Sequence, residues 1–519
     1  MESWGTHGTL AKHYRKGVWG TWDMLRLLLS DRNAWKQLIK LDPVTGLDPE
    51  GIKLRASEGF TGAEYILPGY WIWAKVIENL SAIGYDSNTM YMASYDWRLA
   101  LGHLEVRDQY FSRLKTHIES MKQASGQKAV VIGHSMGSTV LYYFLKWVES
   151  DEGGKGGDQW VEDHVEHLIN IGGALLGAPK VLATLLTGEN HDILSMGKIA
   201  LNLFERFLCR GERLEIFRNW ASAACMLPKG GNLIWGDMNG APDDDLENPI
   251  SKSLGQVISF SPDHSSNKKH NDDIQPNTLL NYTVDSAMRL FETSASPEYL
   301  NVLHNNYSFG ISTSKKEIKA NDNIPRTWNN PLEASLPKAP SMKVYCLYGI
   351  GIPTERGYIF APNDPKKDKY RNEETCNARG DIQNTAGETT DMPLFVDTAA
   401  TESDMDIKKG FRFTNGDRTI PLMSNGYMCA PSGGWMKHAD LYNPGHSQVI
   451  GREYQDVESK GPAKNRGAPT TAKHVEILGN ADLLLDLLKI ASNRSETVTQ
   501  RIYSNIDAIA QRIPIEHHD

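Results

Sequence analysis

The chain has 519 residues, of which 40% are hydrophobic and 23% charged, as in globular proteins large enough for a sizeable core. It carries 55 basic and 64 acidic residues for a net charge of −9. This charge and the lack of a long basic run argue against a nucleic-acid partner, which needs Lys and Arg to neutralise phosphates. No apolar run approaches the length of about 18 residues that predicts a membrane span, and the first residues form no signal-peptide pattern. Composition alone therefore indicates a cytosolic protein.

Strand and helix signals typical of an α/β protein come first in residues 1–180. Apolar residues 129–132 predict a strand, and a helix is predicted directly after residues 133–137, "GHSMG". A glycine-rich loop at 151–159 separates this helix from a second predicted strand and a glycine-rich bend. The helix is expected to bury one face, since apolar residues recur there at helical spacing: Val140, Leu141, Phe144, Leu145 and Val148.

The middle of the chain, residues 181–335, differs in composition from the rest. It is rich in short helical patterns and turn residues, which predicts a mostly helical insertion that serves as a cap over the site or as a plain surface elaboration. Its charged, apolar-poor stretch 239–276 predicts a mobile loop. Residues 336–519 return to α/β signals, with a strand at 342–350 and an amphipathic helix at 481–491.

Ser135 is the candidate nucleophile. A Ser in G-x-S-x-G needs a strand entering and a helix leaving, and this sequence predicts both. Gly133 and Gly137 would allow the strand and helix to approach closely, and the amide of Met136 at the helix N-terminus could stabilise an oxyanion. The alternative is a buried serine in a tight strand–helix turn.

A nucleophilic serine needs a base and a carboxylate that orients the base, in the order Ser, acid, His for this fold. Asp417 follows a Gly at the loop end of a strand and precedes a β-like run, whereas its competitors Asp404 and Asp406 lie in a charged loop. For the base, His474 precedes the predicted last helix; the competitors, His438 and His446, lie among turn residues with no element to position them.

The sequence offers little support for a metal or a nucleotide cofactor. There is no H-E-x-x-H, no phosphate-binding loop, no dinucleotide-binding glycine pattern and no C-x-x-C among the five cysteines, so we expect neither metal nor cofactor. Four N-x-S/T sequons would permit glycosylation, at Asn79, Asn281, Asn306 and Asn493.

Seven motifs occur in an order that resembles one family. They read "YDWRLA", "GHSMGS", "LLGAPK", "MLPKG", "IWGDM", "GDRTIPL" and "HVEILG", and they span nearly the whole chain. They resemble phospholipid:diacylglycerol acyltransferases of the fungal type and, more broadly, the lecithin:cholesterol acyltransferase family. The resemblance implies an α/β-hydrolase fold with a cap.

The resemblance carries over to individual residues. It implies a triad of Ser135, Asp417 and His474, with Arg418 and Ile420 replacing a Gly and a Val of the family's acid motif G-D-G-T-V-P-L. It also implies a disulfide between Cys346 and Cys429, with Cys209, Cys225 and Cys376 left as free or buried thiols.

Asp96 and Arg98 of "YDWR" are expected to form a structural ion pair. The aromatic run 65–73 is expected to line acyl chains or a membrane, or to be core.

The activity implied by the resemblance is transfer of the sn-2 acyl group of a phospholipid to diacylglycerol through an acyl-serine, giving triacylglycerol and lysophospholipid. Phospholipid, diacylglycerol and a membrane surface are the implied partners. A disulfide and sequons indicate an oxidising compartment, here the lumen of the endoplasmic reticulum, rather than the cytosol.

The family's first strands and the loop that donates the second oxyanion amide are expected upstream of Met1. His7-Gly8 is not expected to replace them, because no strand is predicted before it. Two alternatives therefore stay open: a phospholipase or lipase that uses water as acceptor, and an inactive truncated paralogue.

Overall fold

The computed structural model describes residues 2–5, 14–17, 22–67, 70–195, 201, 204–205, 208–245, 253–260, 281–362, 394–401, 407–457 and 469–517. They form a mixed α/β fold. The described strands are β1 (Glu2–Gly5), β2 (Tyr14–Gly17), β3 (Lys53–Arg55), β4 (Tyr65–Leu67), β5 (Tyr70–Trp71), β6 (Ala129–His134), β7 (Val165–Ile171), β8 (Ile258–Phe260), β9 (Asn281–Tyr282), β10 (Lys343–Ile350), β11 (Ile352–Pro362), β12 (Leu394–Val396), β13 (Phe411–Gly416) and β14 (Gln448–Gln455).

The described helices lie between and after these strands, in places several in succession. They are α1 (Trp22–Ser30), α2 (Arg32–Ile39), α3 (Thr61–Glu64), α4 (Ala74–Ala82), α5 (Leu101–Asp108), α6 (Tyr110–Ser125), α7 (Met136–Glu149), α8 (Trp160–His164), α9 (Pro179–Thr187), α10 (His191–Leu194), α11 (Arg210–Phe217), α12 (Gly231–Trp235), α13 (Val284–Ser294), α14 (Pro297–Asn306), α15 (Lys315–Asn321), α16 (Leu422–Gly426), α17 (Gly434–Lys437), α18 (Ala439–Tyr442), α19 (Ala481–Ala491) and α20 (Ile506–Gln511).

A four-stranded parallel sheet in the order β14-β10-β7-β6 lies at the centre of the fold. Its inner strands β7 and β10 are buried almost throughout, as expected for parallel strands covered on both faces. Successive residues of a strand point to opposite faces. Val344 and Cys346 therefore join the apolar cluster that contains α7, whereas Tyr345 and Leu347 join the cluster that contains α4 and α19.

The predicted elements of this core are confirmed. The strand before Ser135, the helix after it, the strand at 165–171, the strand at 343–350 and the helix at 481–491 are all present. The five apolar residues predicted on one face of α7 are 0–8% exposed. Burial of each such side chain contributes about 1.5–3 kcal/mol, which accounts for the position of α7 against the sheet.

A second sheet crosses the predicted boundary at residue 336. It has the order β12-β11-β8-β9, with β13 paired to β11. Strand β8 falls inside the stretch 239–276, so the prediction of a mobile loop there is wrong for residues 258–260. The buried Arg356 of β11 links Asp243 and Leu254 of this stretch to the second sheet. Its guanidinium donates to the Asp243 carboxylate at 2.9 and 3.0 Å and to the Leu254 carbonyl at 2.8 Å. Residues 246–252 and 261–276 lie outside the described residues.

The N-terminal strands form a separate small sheet. Strand β1 pairs antiparallel with β2 and β3. The expectation that no strand precedes His7-Gly8 is therefore wrong, although these two residues themselves lie outside the described residues. Strand β1 does not belong to the parallel sheet.

Cys346 and Cys429 form a disulfide, as the resemblance implied, with their Cα atoms 6.4 Å apart. It ties β10 to the short 3-10 helix Tyr427–Cys429. Cys225 is a buried free thiol. Cys209 is disulfide-bonded, so its prediction as a free or buried thiol is wrong. The spacing of cysteines in the sequence cannot reveal which thiols meet in space. Cys376 lies outside the described residues.

We expect loss of the Cys346–Cys429 bond to lower the free energy of unfolding by about 2–4 kcal/mol, because the closed loop spans 83 residues and its closure restricts the unfolded chain. Urea denaturation of the Cys346→Ala/Cys429→Ala variant measures this change. Cys225→Ala is the matched control, since it removes a buried sulfur but no cross-link and should cost about 1 kcal/mol. Equal losses in the two variants would contradict the prediction.

Asp96 and Arg98 form the predicted ion pair in the interior. Both side chains are fully buried, and the guanidinium donates to the two carboxylate oxygens at 3.0 and 2.7 Å. Arg107 adds a third donation to Asp96 at 2.8 Å. Paired, hydrogen-bonded charges can be held in a low-dielectric interior, so the pair has a structural role.

Among the described helices, none is long and apolar enough to cross a membrane.

Candidate active site

Ser135 occupies a sharp turn between β6 and α7. Its backbone has φ +55° and ψ −127°, a conformation that costs a non-glycine residue about 1–3 kcal/mol and tends to persist at functional sites. The Ser135 amide donates to the Ile171 carbonyl of β7 at 3.0 Å, which fixes the turn to the sheet. A side chain at Gly133 would approach the backbone of Ser138 to 2.8 Å, so glycine is required there. At Gly137 the nearest neighbouring atom would be 3.9 Å away, so the predicted close approach at that position is wrong.

His474 connects Ser135 to Asp417. Its Nε2 lies 2.8 Å from Ser135 Oγ and its Nδ1 lies 2.7 Å from Asp417 Oδ2. An ionised carboxylate only accepts hydrogen bonds, so Nδ1 carries a proton and donates it to Asp417. In the neutral imidazole Nε2 is then the acceptor, free to take the hydroxyl proton of Ser135. The structure thus joins the three residues named from the sequence in the order that nucleophilic catalysis requires.

The Asp417 carboxylate is buried at 1% exposure and saturated with hydrogen bonds. Its Oδ1 accepts from the amides of Thr419 at 2.9 Å and Ile420 at 2.7 Å, and its Oδ2 accepts from Asn425 Nδ2 at 3.2 Å. Burial alone would raise the pKa of Asp417. The charge and hydrogen bond of His474 and the two amides outweigh that effect and lower the pKa below its ordinary value. Sequence reasoning missed Asn425, because nothing in the local pattern separates it from other turn residues.

The local elements around the acid and the base differ from those predicted. A strand, β13, ends directly before Asp417, but the residues after it lead into α16 rather than a β-like run. His474 lies between β14 and the short 3-10 helix Glu476–Gly479, ahead of α19. Helix α20 follows, so α19 is not the last helix.

The structure does not bring the competing histidines to Ser135. His438 Nδ1 lies 2.8 Å from His517 Nε2, and His446 occupies a turn at φ +52°. Of the three candidate histidines, all within the described residues, only His474 contacts the serine. The competing acids Asp404 and Asp406 lie outside the described residues.

The aromatic run 65–73 divides into two environments. Tyr65 and Tyr70 are 48% and 40% exposed, whereas Trp71 and Trp73 pack against the apolar cluster on the α4 face of the sheet. Trp73 also lies edge-on to the ring of His134, at a centroid distance of 6.3 Å. The predicted core role is therefore confirmed for Trp71 and Trp73, whereas contact of the run with acyl chains or a membrane stays a prediction.

A cluster of charged side chains lies beside the loop of the candidate acid, Asp417. Lys180 bonds to Asp192 and lies 3.0 Å from Glu355 Oε1. Burial lowers the pKa of Lys180, but these two carboxylates outweigh it and raise the pKa above its ordinary value. His191, Asp192 and Glu355 have the ligand types of a metal site. Because the Lys180 ammonium already compensates the two carboxylates, we assign the group as an ion-pair cluster.

Arg418 adopts φ +83° directly after Asp417, in the region that favours glycine. The family motif named above has Gly at this place, and the structure supplies the physical reason. The Arg418 amide donates to Thr354 Oγ1 at 2.8 Å, which holds the turn in place. Its side chain is half exposed and lies 3.8 Å from Asp192, a separation that adds little stability in water.

We expect Arg418→Gly to be more stable than Arg418→Ala by about 1 kcal/mol, because both lose the side chain but only glycine relieves the left-handed backbone. Chemical denaturation of the two variants measures the difference. An alanine variant as stable as the glycine variant would contradict the strained conformation.

This chain resembles known acyltransferases in sequence. The sequence profile described as lecithin:cholesterol acyltransferase matches residues 13–481. The chain is 38% identical over 516 residues to a phospholipid:diacylglycerol acyltransferase of Schizosaccharomyces pombe, covering 99% of this chain and 74% of that protein. It is 37% identical to a Saccharomyces cerevisiae protein of the same name, covering 99% and 72%.

A plant protein named phospholipid:diacylglycerol acyltransferase 1, from Arabidopsis thaliana, is 32% identical over 97% of this chain and 80% of its own length. Among solved structures, the Tle4-Tli4 complex aligns with a TM-score of 0.29 at 12% identity, over 79% of this chain and 69% of that one, which is too low to support a fold assignment. The extent of the profile match and the identity to these relatives over 99% of the chain show that it belongs to the lecithin:cholesterol acyltransferase family.

Proposed function

We propose that the chain is an acyltransferase of the α/β-hydrolase fold that moves the sn-2 acyl group of a phospholipid to diacylglycerol. The observation that carries the proposal is the hydrogen-bonded chain Ser135–His474–Asp417 on a strained turn at the N-terminus of α7. The names of the relatives in yeasts and a plant support this choice of donor and acceptor.

In the first half-reaction, Ser135 Oγ attacks the ester carbonyl while His474 Nε2 takes the hydroxyl proton. Met136 begins α7, and the first amides of a helix have no partner inside it, so its N–H is available for the developing oxyanion. Collapse of the tetrahedral intermediate breaks the ester bond, and His474 returns the proton to the departing lysophospholipid oxygen. An acyl-serine remains.

In the second half-reaction, the diacylglycerol hydroxyl takes the place of the lysophospholipid. His474 accepts its proton as the hydroxyl oxygen attacks the acyl-serine, and then returns that proton to Ser135 Oγ as triacylglycerol leaves. Asp417 stays ionised throughout and stabilises the imidazolium that forms in each half-reaction.

The proposed architecture is a core made of residues 1–180 and 336–519 with a mostly helical cap at 181–335. The order of the strands supports it, because β6 and β7 come from the first segment and β10 and β14 from the last. The part of the insertion that contains β8 and β9 pairs with β11 and so joins the second sheet rather than standing apart. The proposed partners are the two lipids and a membrane surface, without nucleic acid.

The test of function is acyl transfer from phospholipid labelled in its sn-2 acyl chain, in mixed micelles with and without diacylglycerol. Labelled triacylglycerol that depends on diacylglycerol is the expected product. Free fatty acid as the sole labelled product would instead support the phospholipase or lipase alternative. Identical, product-free results for the protein and its Ser135→Ala variant would support the inactive-paralogue alternative.

We also propose a location in the lumen of the endoplasmic reticulum, which the disulfide between Cys346 and Cys429 and the sequons support. Asn493 is exposed in a turn at φ +58° after α19, so a glycan there would point into solvent. In contrast, the side-chain amides of Asn79 and Asn306 donate to carbonyls of their own helices at 2.8 Å, and Asn281 lies in β9 with a buried Oδ1.

We therefore expect Asn493 to carry a glycan when the protein is expressed in a secretory compartment. Asn493→Gln should migrate faster on a denaturing gel, by the same shift that glycosidase treatment of the unmodified protein produces. Asn281→Gln should migrate like the unmodified protein. A glycosidase-insensitive protein would contradict the lumenal location.

A further inference from the structure

His134 is the residue of the "GHSMG" motif to which the proposed mechanism gives no role. It ends β6, directly before the nucleophile proposed above. Its Nε2 lies 2.8 Å from the backbone carbonyl oxygen of His474. A carbonyl oxygen only accepts, so His134 Nε2 carries a proton and donates it.

The two imidazole rings also pack against each other. Their centroids are 5.0 Å apart with an interplanar angle of 38°. Trp73 lies edge-on to His134 at 90°, so the ring of His134 has an aromatic neighbour in addition to the imidazole of His474. A half-buried His134 is therefore restrained in orientation as well as in hydrogen bonding.

The backbone of His474 needs such support, because this residue belongs to no helix or strand. Its amide donates to the Asp417 carbonyl at 2.9 Å, and its carbonyl accepts from His134. The two peptide groups around the base are thus each fixed by a residue distant in sequence. The side-chain bonds to Asp417 and Ser135 then set the rotation of the ring.

His134 does not compete with His474 as a base. Burial, and then repulsion by His474, lower the pKa of His134 to about 3, so it stays neutral at neutral pH. Its Nε2 proton is already committed to the His474 carbonyl. Its contribution is geometric.

We propose that His134 is a positioning residue for the catalytic base: its Nε2–H anchors the His474 carbonyl and its ring restrains the imidazole within reach of Ser135. This inference rests on the proposed role of Ser135 as nucleophile. A base displaced by about 1 Å can lose about 100-fold in rate even where the substrate still binds normally.

The test compares two variants of similar side-chain length, His134→Gln and His134→Met. The glutamine amide can place an N–H donor close to the position of imidazole Nε2, whereas methionine has no donor. The readouts are the rate at which a fluorophosphonate probe labels Ser135, and kcat and KM for phospholipid, all measured on the folded fraction. If the methionine variant does not fold, His134→Asn replaces it, because its shorter amide cannot reach the carbonyl.

We expect the variant without a donor in reach to label about 10- to 100-fold more slowly, with kcat reduced in proportion and KM changed less than about twofold. His134→Gln should label at least about fivefold faster than that variant. Equal labelling rates for the two variants would overturn the inference about His134 but not the proposed function. So would a donor-free variant that is labelled as fast as the unmodified protein. Absence of Ser135 labelling in the unmodified protein would overturn the proposed function as well.

Discussion

Replacing Ser135 by alanine is expected to lower the rate of acyl transfer by at least about 10⁴-fold, because no acyl-enzyme can then form. The strained turn should persist, since its conformation is held by the Ser135 amide and the flanking elements rather than by the hydroxyl. Phospholipid affinity should therefore change little, and the loss should appear in kcat. Product formation from labelled phospholipid measures it.

Ser138→Ala is the matched control for this change. Ser138 lies in the first turn of α7, three positions after Ser135, is 4% exposed, and makes no side-chain hydrogen bond to any described residue. We expect its activity to stay within about threefold of the unmodified protein, because a buried hydroxyl without a partner contributes little. Equal losses at the two positions would mean that packing of α7, and not the Ser135 hydroxyl, limits the reaction.

Asp417→Asn is expected to reduce kcat by about 10²- to 10⁴-fold. The substitution removes the negative charge that stabilises the imidazolium. An asparagine Nδ2 in place of Oδ2 would also donate toward His474 Nδ1 and force the proton onto Nε2, which could then no longer accept from Ser135. The variant should still fold, because the Oδ1 that accepts from Thr419 and Ile420 is retained.

Asp486→Asn separates this effect from the general cost of changing a buried carboxylate. Asp486 is 2% exposed and accepts from Arg452 and Tyr454 at 2.8 Å each, in contacts that do not include the site. We expect lower stability but activity per folded molecule within about threefold. An Asp417→Asn variant that keeps more than a tenth of the activity would redirect the search for the acid to Asp404 or Asp406.

The strand, turn and helix around Ser135 could be predicted because their signals are local. Apolar residues 129–132, the flanking glycines and the 3.6-residue period of α7 all lie within one stretch of chain, and each describes a short-range preference. The same holds for the buried strand β10 and for the amphipathic helix α19. The ion pair of Asp96 and Arg98 is likewise local, since only two positions separate its members.

The errors of prediction concern partners that are distant in sequence. Strand β8 is three residues long and is defined by its pairing with β11, about 100 positions later, so its charged surroundings in sequence indicated a loop. Cys209 meets its partner only in the folded chain. The spare room at Gly137 depends on where Tyr95 is placed by another part of the fold.

By itself, the sequence determined the identity of the nucleophile candidate, the order Ser135, Asp417, His474 and the resemblance to one family. Only the tertiary structure decided which candidate histidine reaches the serine, which tautomer it adopts, and that Asn425 and His134 form hydrogen bonds with Asp417 and with the His474 carbonyl. The reason is that these contacts join residues up to 340 positions apart. Their geometry depends on how β6, β7, β10 and β14 are ordered in the sheet, and no local pattern of residues encodes that order.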